Sequence, residues 1–228
     1  MTLLDYPGKV ACTVFLQGCN FRCPFCHNSD LLDTGEQGSI TTEELLAFLK
    51  KRQGLLDGVC ITGGEPTLQK DLKELLRQIK ALGYCVKLDT NGYRPEILQE
   101  LAEEGLVDYV AMDIKNCPER YAETAGIRNM DLEKLQESVR FLLSGKINFE
   151  FRTTIVEEFH DETALEKIGL WLRELDPEHR PKNFFLQAYV DRESVLRPGL
   201  HTPDSEKIRR FQRVLEPFAE KVEIRGIE

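Results

Sequence analysis

The sequence predicts an α/β fold on parallel strands, and an incomplete (β/α)6-type barrel, open on one side, fits the number of its units. Two observations predict it. Short apolar, β-branched runs alternate with amphipathic stretches at helical spacing along the chain, and strands that alternate with helices pair in parallel through right-handed crossovers. The count, about six or seven βα units, falls short of the eight that close a full barrel. A doubly wound open sheet is the second reading of the same pattern. Both architectures put their chemistry at the C-terminal ends of the strands, so functional residues are expected there.

Residues 10–16 (Val-Ala-Cys-Thr-Val-Phe-Leu) read as a buried strand. Thr41 or Thr42 can cap the following helix, with Glu44 or Leu45 three residues on, and Leu45, Leu46, Phe48 and Leu49 form its apolar face. Residues 58–62 make a second strand. Leu72, Leu75, Leu76, Ile79 and Leu82 fall at helical spacing, and Gly83 ends that helix. Residues 84–89 are the third strand. A helix over about 95–104 begins with Pro95 in its first turn and stops before Gly105. Residues 107–114 are the fourth strand. In the second half, helices near 132–143, 161–174 and 203–218 precede strands at 148–155, 183–189 and 222–225. Beyond the βα unit there is no internal repeat and no low-complexity linker. One domain over residues 1–228 is the economical reading, with the Pro/Arg-rich stretch at 177–181 as the mildest candidate boundary.

The 228 residues are 41% hydrophobic and 30% charged, an ordinary globular composition. A formal net charge of -9 argues against broad nucleic-acid binding, which needs a basic surface. No apolar run approaches membrane-spanning length, and the first residues, Met1 to Asp5, lack the charged and apolar regions of an export signal. With seven cysteines, an odd number in no disulfide-scaffold pattern, reduced thiols and a cytoplasmic location are expected.

The most informative segment follows the first strand: Cys19-Asn20-Phe21-Arg22-Cys23-Pro24-Phe25-Cys26, then His27 and Asn28. Three thiolates on one short loop suit three irons of a cubane cluster. No fourth cysteine stands near, which leaves one iron open to a small molecule. The alternative is a closed Cys3His zinc site, but structural zinc sequences usually bring their ligands as two separated pairs, whereas these four crowd into nine residues. After the second strand comes Gly63-Gly64-Glu65-Pro66, where glycines allow close backbone approach and a carboxylate can pair with an ammonium. Asp89-Thr90-Asn91-Gly92 closes the third strand and Asp113-Ile114-Lys115 the fourth, and Arg152 lies on the fifth. Any one charge at a strand end is as readily a solvated surface group; four at the same end of successive strands are harder to explain so. Cys12, Cys60 and Cys85 read as small buried hydrophobes. Cys117 follows Lys115 on the presumed active face and is read as inert, as lone cysteines mostly are. His160, His179 and His201 lie in polar contexts and read as solvated.

The Cys-x3-Cys-x2-Cys loop resembles that of the radical S-adenosylmethionine (SAM) enzymes, whose fold is an incomplete barrel. That resemblance implies one 4Fe-4S cluster on Cys19, Cys23 and Cys26, with SAM on the fourth iron. It places Phe25 and His27 beside the cofactor, with Phe21 and Phe25 as shields against solvent. Gly63, Gly64 and Glu65 would hold the amino group of SAM. Lys115 would neutralise its carboxylate, with Asp89 and Asp113 positioning it or a bound cation, and Arg152 would lie beside the sulfonium or carboxylate end. Asp5-Tyr6-Pro7-Gly8 before the first strand, Gln17-Gly18-Cys19 and Cys26-His27-Asn28 narrow the resemblance to the activating enzymes of glycyl-radical enzymes. Size and wording are most like the activases of anaerobic ribonucleotide reductase. The likeness covers nearly the whole chain.

The activity so implied is reductive cleavage of SAM to methionine and a 5'-deoxyadenosyl radical, which takes hydrogen from a glycine of a partner enzyme. Flavodoxin or ferredoxin would supply the electron. A radical SAM enzyme acting on a small molecule would retain the same residues, and a zinc-stabilised interaction module remains a third reading. The chain departs from the family in two places. Pyruvate formate-lyase activases carry a histidine where Val190-Asp191 stands here. Many other activases insert a cysteine-rich ferredoxin-like segment after the cluster loop (17–28), where this chain has Ser29-Asp30-Leu31-Leu32.

Overall fold

The computed structural model describes residues 2–33 and 38–227; Met1, whose segment entered the reading of export signals, lies outside them. Among the described residues, seven strands form one sheet in strict chain order: β1 (Ala11–Leu16), β2 (Gly58–Gly63), β3 (Cys85–Thr90), β4 (Tyr109–Asp113), β5 (Asn148–Ile155), β6 (Phe184–Ala188) and β7 (Val222–Arg225). Every neighbouring pair is parallel. Sequential order decides between the two architectures. Each crossover advances in the same direction, so right-handed connections put every helix on one face of the sheet. A doubly wound sheet needs the order to reverse. Among the described residues β1 and β7 are the two edges and do not pair, so the barrel is incomplete.

The helices are α1 (Thr42–Lys51), α2 (Leu72–Ala81), α3 (Pro95–Glu103), α4 (Pro118–Ala125), α5 (Leu132–Leu143), α6 (Glu162–Leu175) and α7 (Ser205–Leu215). Thr41 is the cap of α1. Its hydroxyl accepts from the Glu44 N–H at 3.2 Å and the Glu44 carboxylate accepts from the Thr41 N–H at 2.8 Å, a reciprocal capping box. Three elements differ from expectation. The fourth strand is shorter at both ends than 107–114. The last helix stops at Leu215 and tightens into a 3-10 turn, Glu216–Phe218, because Pro217 cannot continue the ladder. The sequence reading passed over α4, which opens on Pro118 and closes on Gly126 at φ +67°.

Strand alternation sorts the sheet into two faces. Val59, Ile61, Val86, Leu88, Val110 and Met112 belong to the apolar core packed with the helices. The opposite parity carries Cys60, Lys87, Asp89, Asp113, Glu150, Arg152 and Gln187, and the register sets Cys60 beside Lys87 and Asp113 beside Arg152. The barrel interior is therefore polar. Cys12 and Cys60 are buried as expected; Cys85 is only partly buried. Among the described residues no helix is long and apolar enough to cross a membrane.

Candidate active site

At the C-terminal ends of the strands lies a cavity of about 230 Å³. Its wall includes Cys19, Cys23, Cys26, Phe25 and His27 from the loop after β1, Gly63 and Gly64 after β2, Asp89, Asp113, Lys115 and Arg152. Of the expected site residues only Glu65 is missing from that wall.

The loop after β1 is held from several directions. Gly18 N–H donates to Leu31 and Cys19 N–H to Leu32. Arg22 turns back, donating to the Cys19 carbonyl at 2.6 Å and the Phe21 carbonyl at 2.9 Å. The Arg22 N–H donates to the Ala125 carbonyl at 2.9 Å, so the end of α4 braces the loop. Gly126 permits that approach: a Cβ there would sit 2.1 Å from the Arg22 carbonyl oxygen. Phe21 packs against Tyr93 and Phe25 against Phe159, leaving both aromatic rings buried.

The three thiols are free, and burial pushes Cys19 up and Cys23 up to about 12. Lys115 opposes that shift at both. Metal binding needs thiolates, so a cation beside them favours the ligand form. No group of three His, Cys, Asp or Glu side chains among the described residues is placed to hold a single ion. All three thiols line the cavity.

The Gly63-Gly64 turn is stitched to that loop. Gly64 N–H donates to Leu16 at 2.8 Å and Glu65 N–H to Gly18 at 2.7 Å. A Cβ on Gly63 would meet the Leu16 oxygen at 2.3 Å, and one on Gly64 the Gly18 oxygen at 2.1 Å. The glycines thus serve backbone-to-backbone approach as well as access to the cavity. The Asn28 amide also donates to the Gly63 carbonyl at 3.4 Å.

Glu65 departs from expectation. It is fully buried, and its carboxylate accepts from the Thr67 N–H, the Thr67 hydroxyl, the Thr90 hydroxyl and the Asn91 N–H at 3.1, 2.5, 2.8 and 2.7 Å. With four donors already on it, this carboxylate joins the turn after β2 to the end of β3 and does not face the cavity. Burial raises its pKa, against the pull of those donors.

The four strand-end charges form one ion-pair chain. Lys115 donates to Asp113 at 2.9 Å, Arg152 donates to Asp113 at 2.9 Å and to Asp89 at 3.1 Å, and Lys87 pairs with Asp89. Burial alone would raise both carboxyls, but the cations prevail. Arg152 and Lys115 hold Asp113 down to about 2, and Arg152 and Lys87 hold Asp89 below its usual range. Lys115 and Arg152 are held up in return, despite the cost of burial. These charges are not solvated strand ends.

His27 is held by Val190 and Tyr189. Its Nε2 donates to the Val190 carbonyl at 2.7 Å and its ring stacks on Tyr189 at 5.4 Å. Ser194 Oγ donates to the His27 carbonyl at 2.9 Å and Arg197 N–H to the Pro24 carbonyl at 2.9 Å. The segment after β6 therefore straps the cysteine loop. Asp191 accepts from the Tyr189 hydroxyl at 2.9 Å and does not line the cavity. His160, expected in solvent, is 1% exposed. Its Nε2 donates to the Lys115 carbonyl at 2.9 Å, and burial lowers its pKa to about 4. His179 and His201 are exposed, paired with Asp176 and Glu158.

Sequence reasoning missed Thr62, Thr154 and Gln187 in the wall, and Lys87 beneath it. Parity held the signal: Thr154 lies two residues after Arg152, and Lys87 two before Asp89.

The family model for the radical SAM superfamily matches residues 13–168. A Methanocaldococcus jannaschii protein described as a candidate glycyl-radical enzyme activating enzyme is 33% identical, over 100% of this chain and 93% of its own. The pyruvate formate-lyase 1-activating enzyme of Escherichia coli is 27% identical, over 96% of this chain and 93% of its own. The fold superposes on SuiB of Streptococcus suis, solved with S-adenosylmethionine bound, at a TM-score of 0.74 and 13% identity. That match covers 96% of this chain and 51% of SuiB, so the chain spans about half the length of that protein. Three free thiols beside a cavity with cationic and glycine-backbone walls fit a cluster and an amino-acid ligand. The chain belongs to the radical SAM superfamily, whose enzymes hold a 4Fe-4S cluster on three cysteines and bind SAM.

Proposed function

We propose that this chain is an activating enzyme for a glycyl-radical enzyme, with anaerobic ribonucleotide reductase as its partner. The observation that carries the reading is likeness to activases over nearly the whole chain, joined to a cavity whose lining brings three thiols together with Lys115 and Arg152. A bound cluster and SAM would supply the chemistry, the one-electron reductive cleavage of SAM to methionine that would let its 5'-deoxyadenosyl part remove a hydrogen atom from a glycine α-carbon of the partner.

The chain's own residues bind and orient. Cys19, Cys23 and Cys26 hold the cluster. Phe21 and Phe25 exclude water, which tunes a cluster's potential. The Gly63-Gly64 backbone receives the amino group of SAM, and Lys115, kept cationic by Asp113, receives its carboxylate. Arg152 is fixed at the same end by two carboxylates and lies beside the methionine portion. His27 and Phe25 flank the ligand, and Glu65 fixes the turn that presents the glycines. Asp89 and Asp113 position these cations. The external electron comes from flavodoxin or ferredoxin, and the reaction belongs in the cytoplasm.

The test is to incubate the reconstituted protein, SAM and reductant with the reductase, and to look by electron paramagnetic resonance for a protein radical. A hyperfine splitting that collapses when the reductase carries α-deuterated glycine identifies the glycyl radical. SAM cleavage with no radical on the reductase, but one on another glycyl-radical enzyme, would replace the named partner. Cleavage driven by a metabolite and no protein radical would overturn the activase reading.

A further inference from the structure

Lys87 lies on β3 inside the barrel, 1% exposed and outside the cavity wall. A buried lysine is costly unless paired. Its ammonium pairs with Asp89, and its other polar neighbour is the Cys60 sulfur at 4.0 Å. It is buried and does not line that cavity, so its role is exerted through Asp89.

Asp89 also accepts from Arg152, which is shared with Asp113, which in turn accepts from Lys115. The chain therefore holds three cations, Lys87, Arg152 and Lys115, and two carboxylates, Asp89 and Asp113. Two further buried carboxylates are a background that is the same with and without Lys87: Glu150 pairs with Arg225 at 3.4 Å and also acts on Arg152, and Glu65 accepts from four neutral donors. Without Lys87, Arg152 and Lys115 would be neutralised by the two carboxylates between them.

We propose that Lys87 is a positioning residue. By neutralising Asp89 from beneath, it leaves one positive charge in excess at Arg152 and Lys115, and so sets how tightly the cavity holds the carboxylate of its ligand. This rests on the reading that the cavity takes the methionine end of SAM.

The test is equilibrium dialysis with reconstituted protein, its cluster oxidised so that nothing turns over, against SAM and decarboxylated SAM. Wild type is expected to prefer SAM. Lys87→Met should shrink that preference about tenfold, the size of a one-charge change across roughly 10 Å at an effective dielectric of about 20. Lys87→Met combined with Asp89→Asn restores the charge balance and should return the preference to within about twofold of wild type. A Lys87→Met protein that keeps the wild-type preference overturns the role of Lys87. A wild type with no preference overturns the reading of the cavity itself. If Lys87→Met does not load with iron, Lys87→Arg and Lys87→Gln decide: the first should keep the wild-type preference and the second shrink it, and a Lys87→Gln protein with the wild-type preference overturns the proposal.

Discussion

Arg152 donates through Nε to Asp113 at 2.9 Å, and the β4–β5 register sets the two residues directly opposite one another. Its other arm reaches Asp89 at 3.1 Å. Replacing Arg152 by Leu leaves two mostly buried carboxylates with one cation fewer. Breaking such a pair from one side costs about 3 kcal/mol or more. Urea unfolding of the anaerobic protein should show that loss, and Arg152→Lys should recover only part of it because one ammonium cannot span both partners.

His160 gives a pH signature. Its pKa is lowered from 6.5 in the open chain to about 4 by burial, so the unfolded protein binds the proton more readily. The stability this contributes is complete above pH 6.5 and is lost as pH falls towards 4. The loss amounts to about 3 kcal/mol. Unfolding measured from pH 7.5 to 4.5 should steepen through this window, and His160→Gln should flatten that part of the profile.

The paired glycines Gly126 and Gly145 separate backbone strain from crowding. Both have positive φ, +67° and +73°. A Cβ at Gly145 meets nothing within 4 Å, while one at Gly126 meets the Arg22 oxygen at 2.1 Å. Gly145→Ala should cost about 1 kcal/mol. Gly126→Ala should cost more and should also lower the iron retained after reconstitution, because it displaces the loop that carries Cys19 and Cys23.

Cys117 is 1% exposed and immediately precedes α4, away from the cavity wall. Cys117→Ala should load with as much iron as wild type. Iron lost on that substitution would make it a ligand and change the ligand count.

Much of this was legible in the sequence because strands and helices carry different periods. Residues 132–143, 148–155 and 222–225 fall where the apolar pattern puts them. Helix α4 escaped because its eight residues carry no long apolar stripe, although Pro118 and Gly126 mark its ends. The site was legible as a set of residues at strand ends but not as a network. Sequence gives Asp89, Asp113, Lys115 and Arg152 their places on a face; only the parallel register shows that they pair with one another. Glu65 and His160 misled for the same reason, since the partners that bury them come from neighbouring strands and loops.

The central claim is tested most directly by quantifying 5'-deoxyadenosine from reconstituted, dithionite-reduced protein given SAM, with Cys23→Ala alongside. A brown wild type that forms 5'-deoxyadenosine, beside a variant that forms none, is the predicted result. A colourless wild type that holds zinc and forms none would contradict it.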